Sequence, residues 1–169
     1  VSTQLDSDDE TDAAVGGGSE ARFAVMMNRK AREIGMMRTN FVNASGLHNK
    51  RQVTSARDMA KLAQYILTDY PQYYHYFATR QFTYQGLTHR NHNRLMETYR
   101  GMDGFKTGYI GPSGFNLVAS AKRGNHRLIG VVFGGVSANS RNAHMAALLD
   151  SGFDRQEQQV IMARAVPVP

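Results

Sequence analysis

Cysteine is absent from the 169 residues, which excludes disulfides and thiolate chemistry and leaves the compartment open. No apolar run approaches the roughly 18 residues a helix needs to span a bilayer, so no membrane association is expected to be encoded here. No basic-then-apolar stretch follows Val1, so no signal peptide is read. Lys and Arg never form a block of five, which argues against specific nucleic-acid binding despite a formal net charge of +6. No internal repeat is visible. What is present is ordinary for one globular domain: 41% hydrophobic and 20% charged residues, enough to bury a core. The charge is uneven, because Asp6, Asp8, Asp9, Glu10 and Asp12 crowd the start while the basic residues lie beyond it. A basic body of this kind could attract nucleic acid, an anionic membrane face or an anionic cell-wall polymer.

Residues 1–18 are acidic and then Gly-rich, an atypical N-terminal segment. Ser19 caps a helix whose Phe23, Met26, Met27, Ala31 and Ile34 repeat at a 3.6-residue period and read as a core face ending at Gly35. A long polar connection, 38–53, reads as a functional or well-packed loop. Ser55 and Asp58 then make a capping box ahead of a second apolar stripe, Met59, Leu62, Ala63, Ile66 and Leu67. Pro71 opens a short helix. Strands are expected at 80–84, 105–107, 115–122 and 127–133, the last two joined as a hairpin through Arg123-Gly124-Asn125. A helix at 142–152 closes the series. Helices, then antiparallel strands, then a helix give an α+β class.

The informative segment is Asp103-Gly104-Phe105-Lys106-Thr107-Gly108-Tyr109. Lys106 sits on a short strand, and Gly108 offers no Cβ to hold off a ligand lying along the strand edge. A cation and a hydroxyl beside such an edge could take a carboxylate. The plainer alternative is an exposed surface lysine. His75, His89 and His92 have no cysteine or well-spaced acid beside them, so no metal or other cofactor is expected.

Together with Gly114-Phe115-Asn116-Leu117-Val118-Ala119-Ser120-Ala121, Arg127–Gly135, Thr39–Leu47 and Asn91-His92-Asn93-Arg94-Leu95, this segment resembles the low-molecular-mass penicillin-binding D-alanyl-D-alanine carboxypeptidases. The likeness runs in order from about residue 17 to residue 153. It implies residues 19–153 as a partial β-lactamase/transpeptidase-like domain, the C-terminal part of the catalytic domain, with a tail at 154–169. It also implies an extracytoplasmic or periplasmic serine-type enzyme that trims terminal D-Ala from peptidoglycan stem peptides ending in D-Ala-D-Ala, with β-lactams as mimics. Of the family motifs Ser-x-x-Lys, Ser-x-Asn and Lys-Thr-Gly, only the third stands here clearly. Lys106, Thr107 and Gly108 would bind the substrate carboxylate, the Tyr109 N–H would supply half of an oxyanion hole, and Arg141 would help to hold the carboxylate. The alternative for Arg141 is a solvated arginine at a helix start. No Ser or Thr is followed three residues later by Lys, and Ser7-Asp8-Asp9 is only a loose match to the second motif. Ser137-Ala138-Asn139 lies in the wrong order. The chain alone is therefore expected not to catalyse the reaction, the alternatives being a non-catalytic stem-peptide or penicillin-binding module and an unstable gene fragment.

Overall fold

A computed structural model describes the fold of residues 19–165 and side-chain surroundings through residue 159. The chain divides into two compact units between Tyr65 and Ile66.

The first unit begins with α1, Glu20–Glu33. Ser19 caps it, its hydroxyl accepting from Arg22 N–H at 3.3 Å, with Glu20 in the first turn against the positive dipole end. The expected core face is only partly covered. Ala24 and Ala31 are buried, but Phe23 remains 39% exposed, and Met26, Met27 and Ile34 line an open apolar cavity of about 350 Å³ with Met36, Phe41 and Leu62. Periodicity shows which side of a helix is apolar, not what covers it. The connection at 38–53 is well packed, as expected. Asn28 accepts from Phe41 N–H and donates to the Phe41 carbonyl, both at 2.7 Å, and Gln52 Oε1 accepts from the N–H groups of Val42 and Asn43. α2, Ala56–Asp69, starts on Ser55, whose hydroxyl accepts from Asp58 N–H. The Asp58 carboxylate, 3% exposed, accepts from Arg38 N–H at 2.8 Å and the Thr39 hydroxyl at 2.7 Å.

The second unit carries a 3-10 turn at Pro71–Tyr73 and α3, His75–Ala78. A hairpin follows, β1 Gln81–Tyr84 and β2 Leu87–Arg90, and then α4, Leu95–Thr98. The hairpin's second strand was not expected. Its two-residue turn uses Gln85 and Gly86 at φ 47° and 77°, the doubly left-handed turn usually signalled by Asn-Gly. The main sheet is β3 Met102–Ile110, β4 Gly114–Arg123 and β5 His126–Gly135, antiparallel in the order β3-β4-β5. Gly124 at φ 58° makes the expected β4–β5 turn. α5, Ala138–Ala165, begins earlier than expected and continues past Gly152 through residues read as tail.

The core lies between the sheet and α5. Leu117, Ala119 and Ala121 alternate along β4, each fully buried, and join Val132, Met145, Leu149 and Phe153 in one cluster. Burying side chains of the size of Leu117, Met145 and Leu149 contributes about 1.5–3 kcal/mol each. β4 is thus clamped on both sides and one face, which leaves β3 as a sheet edge with no strand beyond it among the described residues.

Candidate functional site

β3 changes character midway. Met102, Gly104 and Phe105 are buried, whereas Lys106, Gly108 and Tyr109 are exposed and Thr107 is half-buried. The buried half anchors the exposed half. Phe105 packs edge-on to Tyr74, ring centroids 5.1 Å apart. On the same stretch the Tyr74 hydroxyl donates to Asp103 Oδ1 at 2.9 Å, and Arg127 Nη1 donates to the same oxygen at 2.8 Å while its guanidinium lies over the Tyr74 ring. Burial, reinforced by the Asp103 carboxylate, pushes the Tyr74 phenol up to about 12, so it stays a neutral donor. Hydrogen bonding to Asp103 raises Arg127 further above its usual range. This charge-assisted network ties α3, β3 and β5 together just before Lys106.

Beyond the network, register places Lys106 opposite Val118, Thr107 opposite Leu117, Gly108 opposite Asn116 and Tyr109 opposite Phe115. Lys106 Nζ donates to the Thr107 carbonyl at 2.8 Å and meets no carboxylate among the described residues. Gly108 is the telling residue. A Cβ built there would meet only Asn116 Cβ, at 4.0 Å, and its φ is not positive. No contact among the described residues requires glycine at that position.

Arg141 arrives from the first turn of α5. Ser137 and Ser140 exchange hydrogen bonds at that end, Ser140 N–H to Ser137 Oγ at 3.1 Å and Ser137 N–H to Ser140 Oγ at 3.2 Å. Its side chain is brought to the sheet by Gly135, where an added Cβ would lie 2.8 Å from Arg141 Cβ and 3.0 Å from the Phe115 carbonyl. The guanidinium is nearly buried, with the residue 4% exposed, and reaches only neutral acceptors: the Asn116 carbonyl at 3.2 Å and Asn142 Oδ1 at 3.1 and 2.8 Å. Burial lowers its pKa, because no anion among the described residues offsets the lost hydration. It is therefore not a solvated arginine at a helix start. A buried guanidinium without a carboxylate has the chemistry to take an anionic guest.

These residues meet. Lys106, Thr107, Gly108, Tyr109 and Arg141 line one cleft of about 310 Å³ with His92, Phe115 and Ala138. Asn116, which the sequence did not single out, knots the end of the cleft: its Oδ1 accepts from Gly134 N–H, its Nδ2 donates to Ser113 Oγ and its carbonyl receives Arg141. His92 was weighed only for metal binding, and its place on the cleft wall was missed. Ser7 lies outside the described residues. Ser137, of the misplaced Ser-x-Asn, serves as the α5 cap. No described helix is long and apolar enough to cross a membrane.

Comparison with known proteins bears on the same residues. The family described as D-alanyl-D-alanine carboxypeptidase matches residues 10–137, beginning some residues earlier than the resemblance had suggested. The carboxypeptidase DacF of Bacillus subtilis is 40% identical over 152 residues, 87% of this chain and 39% of that protein. DacA of Escherichia coli is 38% identical over 137 residues, 80% of this chain and 34% of that protein. Among solved structures, penicillin-binding protein 5 of Haemophilus influenzae matches at a TM-score of 0.77 and 36% identity, covering 81% of this chain and 40% of that one. Penicillin-binding protein 6B of Escherichia coli matches at 0.74 and 37%, covering 82% and 44%. The chain thus spans less than half the length of these relatives, and the matched part is the α+β region that presents the Lys-Thr-Gly strand. By family match, sequence identity and fold together, the chain belongs to the D-alanyl-D-alanine carboxypeptidase family.

Proposed function

We propose that this chain forms the substrate-carboxylate side of a serine-type D-Ala-D-Ala carboxypeptidase and binds peptidoglycan stem peptides ending in D-Ala-D-Ala. The observation that carries the reading is the single cleft in which Lys106, Thr107 and the buried, anion-free Arg141 converge. The terminal carboxylate sits between the Lys106 ammonium, the Thr107 hydroxyl and the Arg141 guanidinium. The bare Gly108 lets the peptide backbone lie along the open β3 edge, in the manner of an added strand. Tyr109 N–H points its dipole at the penultimate carbonyl, where negative charge develops when a serine attacks. Terminal D-Ala then leaves and water hydrolyses the acyl-enzyme. A neutral serine needs an adjacent base to attack, and the 169 residues hold no Ser-x-x-Lys. Binding is therefore this chain's contribution, and acyl transfer depends on a nucleophile these residues do not supply. A matched Listeria monocytogenes penicillin-binding protein D2 is described with bound ampicillin, which supports β-lactams as mimics of the same ligand. The working site of the whole enzyme is extracytoplasmic, where its peptidoglycan substrate lies.

Calorimetry tests this with an N-acylated D-Ala-D-Ala peptide against wild type, Lys106→Ala and Arg141→Ala. Each substitution removes a charge-assisted contact of about 1.5–3 kcal/mol, hence a loss of roughly 10- to 150-fold. Wild-type binding that survives both substitutions unchanged refutes the assignment. Mass spectrometry after β-lactam exposure is expected to find no covalent adduct on this chain, and an adduct would overturn the division of labour.

A further inference from the structure

The β1–β2 hairpin stands beside the cleft, and none of its strand residues is buried. Opposed residues of paired strands share a face, so Phe82 with His89 and Tyr84 with Leu87 make one side of the hairpin. That side carries no Asp, Glu, Lys or Arg. Phe82 lies along His89 with ring centroids 5.2 Å apart and 25° between the planes, and Tyr84 follows roughly 7 Å along the strand. Phe82, Tyr84 and Leu87 are 58%, 61% and 66% exposed. Single exposed apolar residues are ordinary, whereas a contiguous row of them marks a surface that meets something. The row is also held in shape. Thr83 and Thr88 share a hydroxyl hydrogen bond of 3.1 Å on the opposite side, and Asn91 closes the base, donating through Nδ2 to the Thr79 carbonyl at 2.9 Å and through N–H to the Arg80 carbonyl at 2.7 Å. A cavity of about 560 Å³ runs from Phe82 to Lys106, and His92, Lys106 and Thr107 line both it and the carboxylate cleft.

We propose that this ring face binds the glycan strand of peptidoglycan through the flat faces of its β-linked amino sugars, independently of the stem peptide. The choice of a peptidoglycan saccharide rests on the carboxylate reading above. A sugar ring offers C–H groups on its face and hydroxyl and acetamido groups round its edge. Its face therefore covers neutral aromatic surface, while its edge needs donors and acceptors beside the rings. Phe82 and Tyr84 supply the surface. The Tyr84 hydroxyl, with Gln85 Nε2 at 3.4 Å, and the His89 ring nitrogens supply the edge. A nucleic-acid strand stacked here would need cations among the rings to meet its phosphates, and the ring face carries none. Because the face is formed before the ligand arrives, little freedom is lost on binding. The hairpin thus holds the polymer and raises the local concentration of stem-peptide ends at Lys106.

The test is an NMR titration of the 169-residue chain with chitotetraose, the neutral β-linked tetramer of N-acetylglucosamine, which carries no peptide. Wild type is expected to show saturable shifts at the hairpin. Phe82→Ala and Tyr84→Ala are each expected to weaken binding roughly 2- to 12-fold, the range of one aromatic contact. Both side chains are exposed, and circular dichroism checks that each variant keeps the fold. Calorimetry with the N-acylated D-Ala-D-Ala peptide is expected to give both variants the wild-type affinity. Gly108→Ala is expected to do the reverse, losing peptide affinity and keeping saccharide affinity. Absence of saturable saccharide binding overturns the inference, as does an affinity that neither ring removal lowers. A thymidine oligonucleotide that binds the same rings more tightly than the saccharide also overturns it. If the peptide binds and the saccharide does not, only this inference fails. If the saccharide binds through the rings and the peptide does not, the carboxylate reading alone fails, and if neither binds, both do.

Discussion

Gly108→Ala separates a glycine kept for folding from one kept for a ligand. The added Cβ meets only Asn116 Cβ, at 4.0 Å, an ordinary van der Waals contact, and the backbone there needs no left-handed conformation. Alanine also costs the unfolded chain less freedom than glycine within a strand, by about 0.5–1 kcal/mol. The variant is therefore expected to be at least as stable as wild type, with Tm unchanged or raised by roughly 2–4 °C. Ligand binding is expected to move the other way. The methyl group stands in the cleft where the peptide backbone must approach, and displacing that backbone loses strand-type hydrogen bonds of about 1 kcal/mol each. Losing two gives roughly a 30-fold weaker Kd. Thermal melts and peptide calorimetry on one preparation suffice. A stable variant with wild-type affinity refutes the strand-edge account, and a destabilised variant refutes the claim that packing leaves this position free.

Gly135→Ala is expected to behave oppositely, because its Cβ collides with Arg141 Cβ at 2.8 Å and the Phe115 carbonyl at 3.0 Å. Tm should fall and peptide affinity with it, whereas unchanged melting would show that Arg141 is not held as described. In the first unit, the Asp58 carboxyl is held below its ordinary range: burial alone would raise it, but hydrogen bonds from Thr39, Arg38 N–H and Ser55 outweigh that effect. A depressed folded pKa stabilises above the unfolded value near 3.9 and is lost as pH falls through the folded one. Asp58→Asn should therefore melt earlier than wild type at pH 7, by about 1–3 kcal/mol, with the gap closing below about pH 4. A gap that persists unchanged at low pH refutes this.

Local signals in the sequence were legible where the chain solves its own problem nearby. The Ser19 cap, the Arg123-Gly124-Asn125 turn and the exposed Lys106 strand each follow from a few adjacent residues. The β1–β2 hairpin was half missed because Gln85-Gly86 performs a turn more often written Asn-Gly. The apolar face of α1 was read as core, yet Phe23 and Met26 border an open cavity, since a helical period carries no information about the covering partner. Most of the site's order is non-local. Asn116 joins Ser113, Gly134 and Arg141, and Asn93 ties its loop to Gly104. Neither pairing has a sequence signature. Arg141 was picked out by resemblance alone, and its burial without an anion became visible only once Gly135 and Asn116 were placed against it.

The most direct measurement compares one stem peptide in two forms, the free acid and the C-terminal amide, titrated into the same chain. If Lys106, Thr107 and Arg141 together await a carboxylate, the free acid binds and the amide, which offers them no negative charge, binds at least roughly tenfold more weakly. Equal affinity for the two forms would contradict the account.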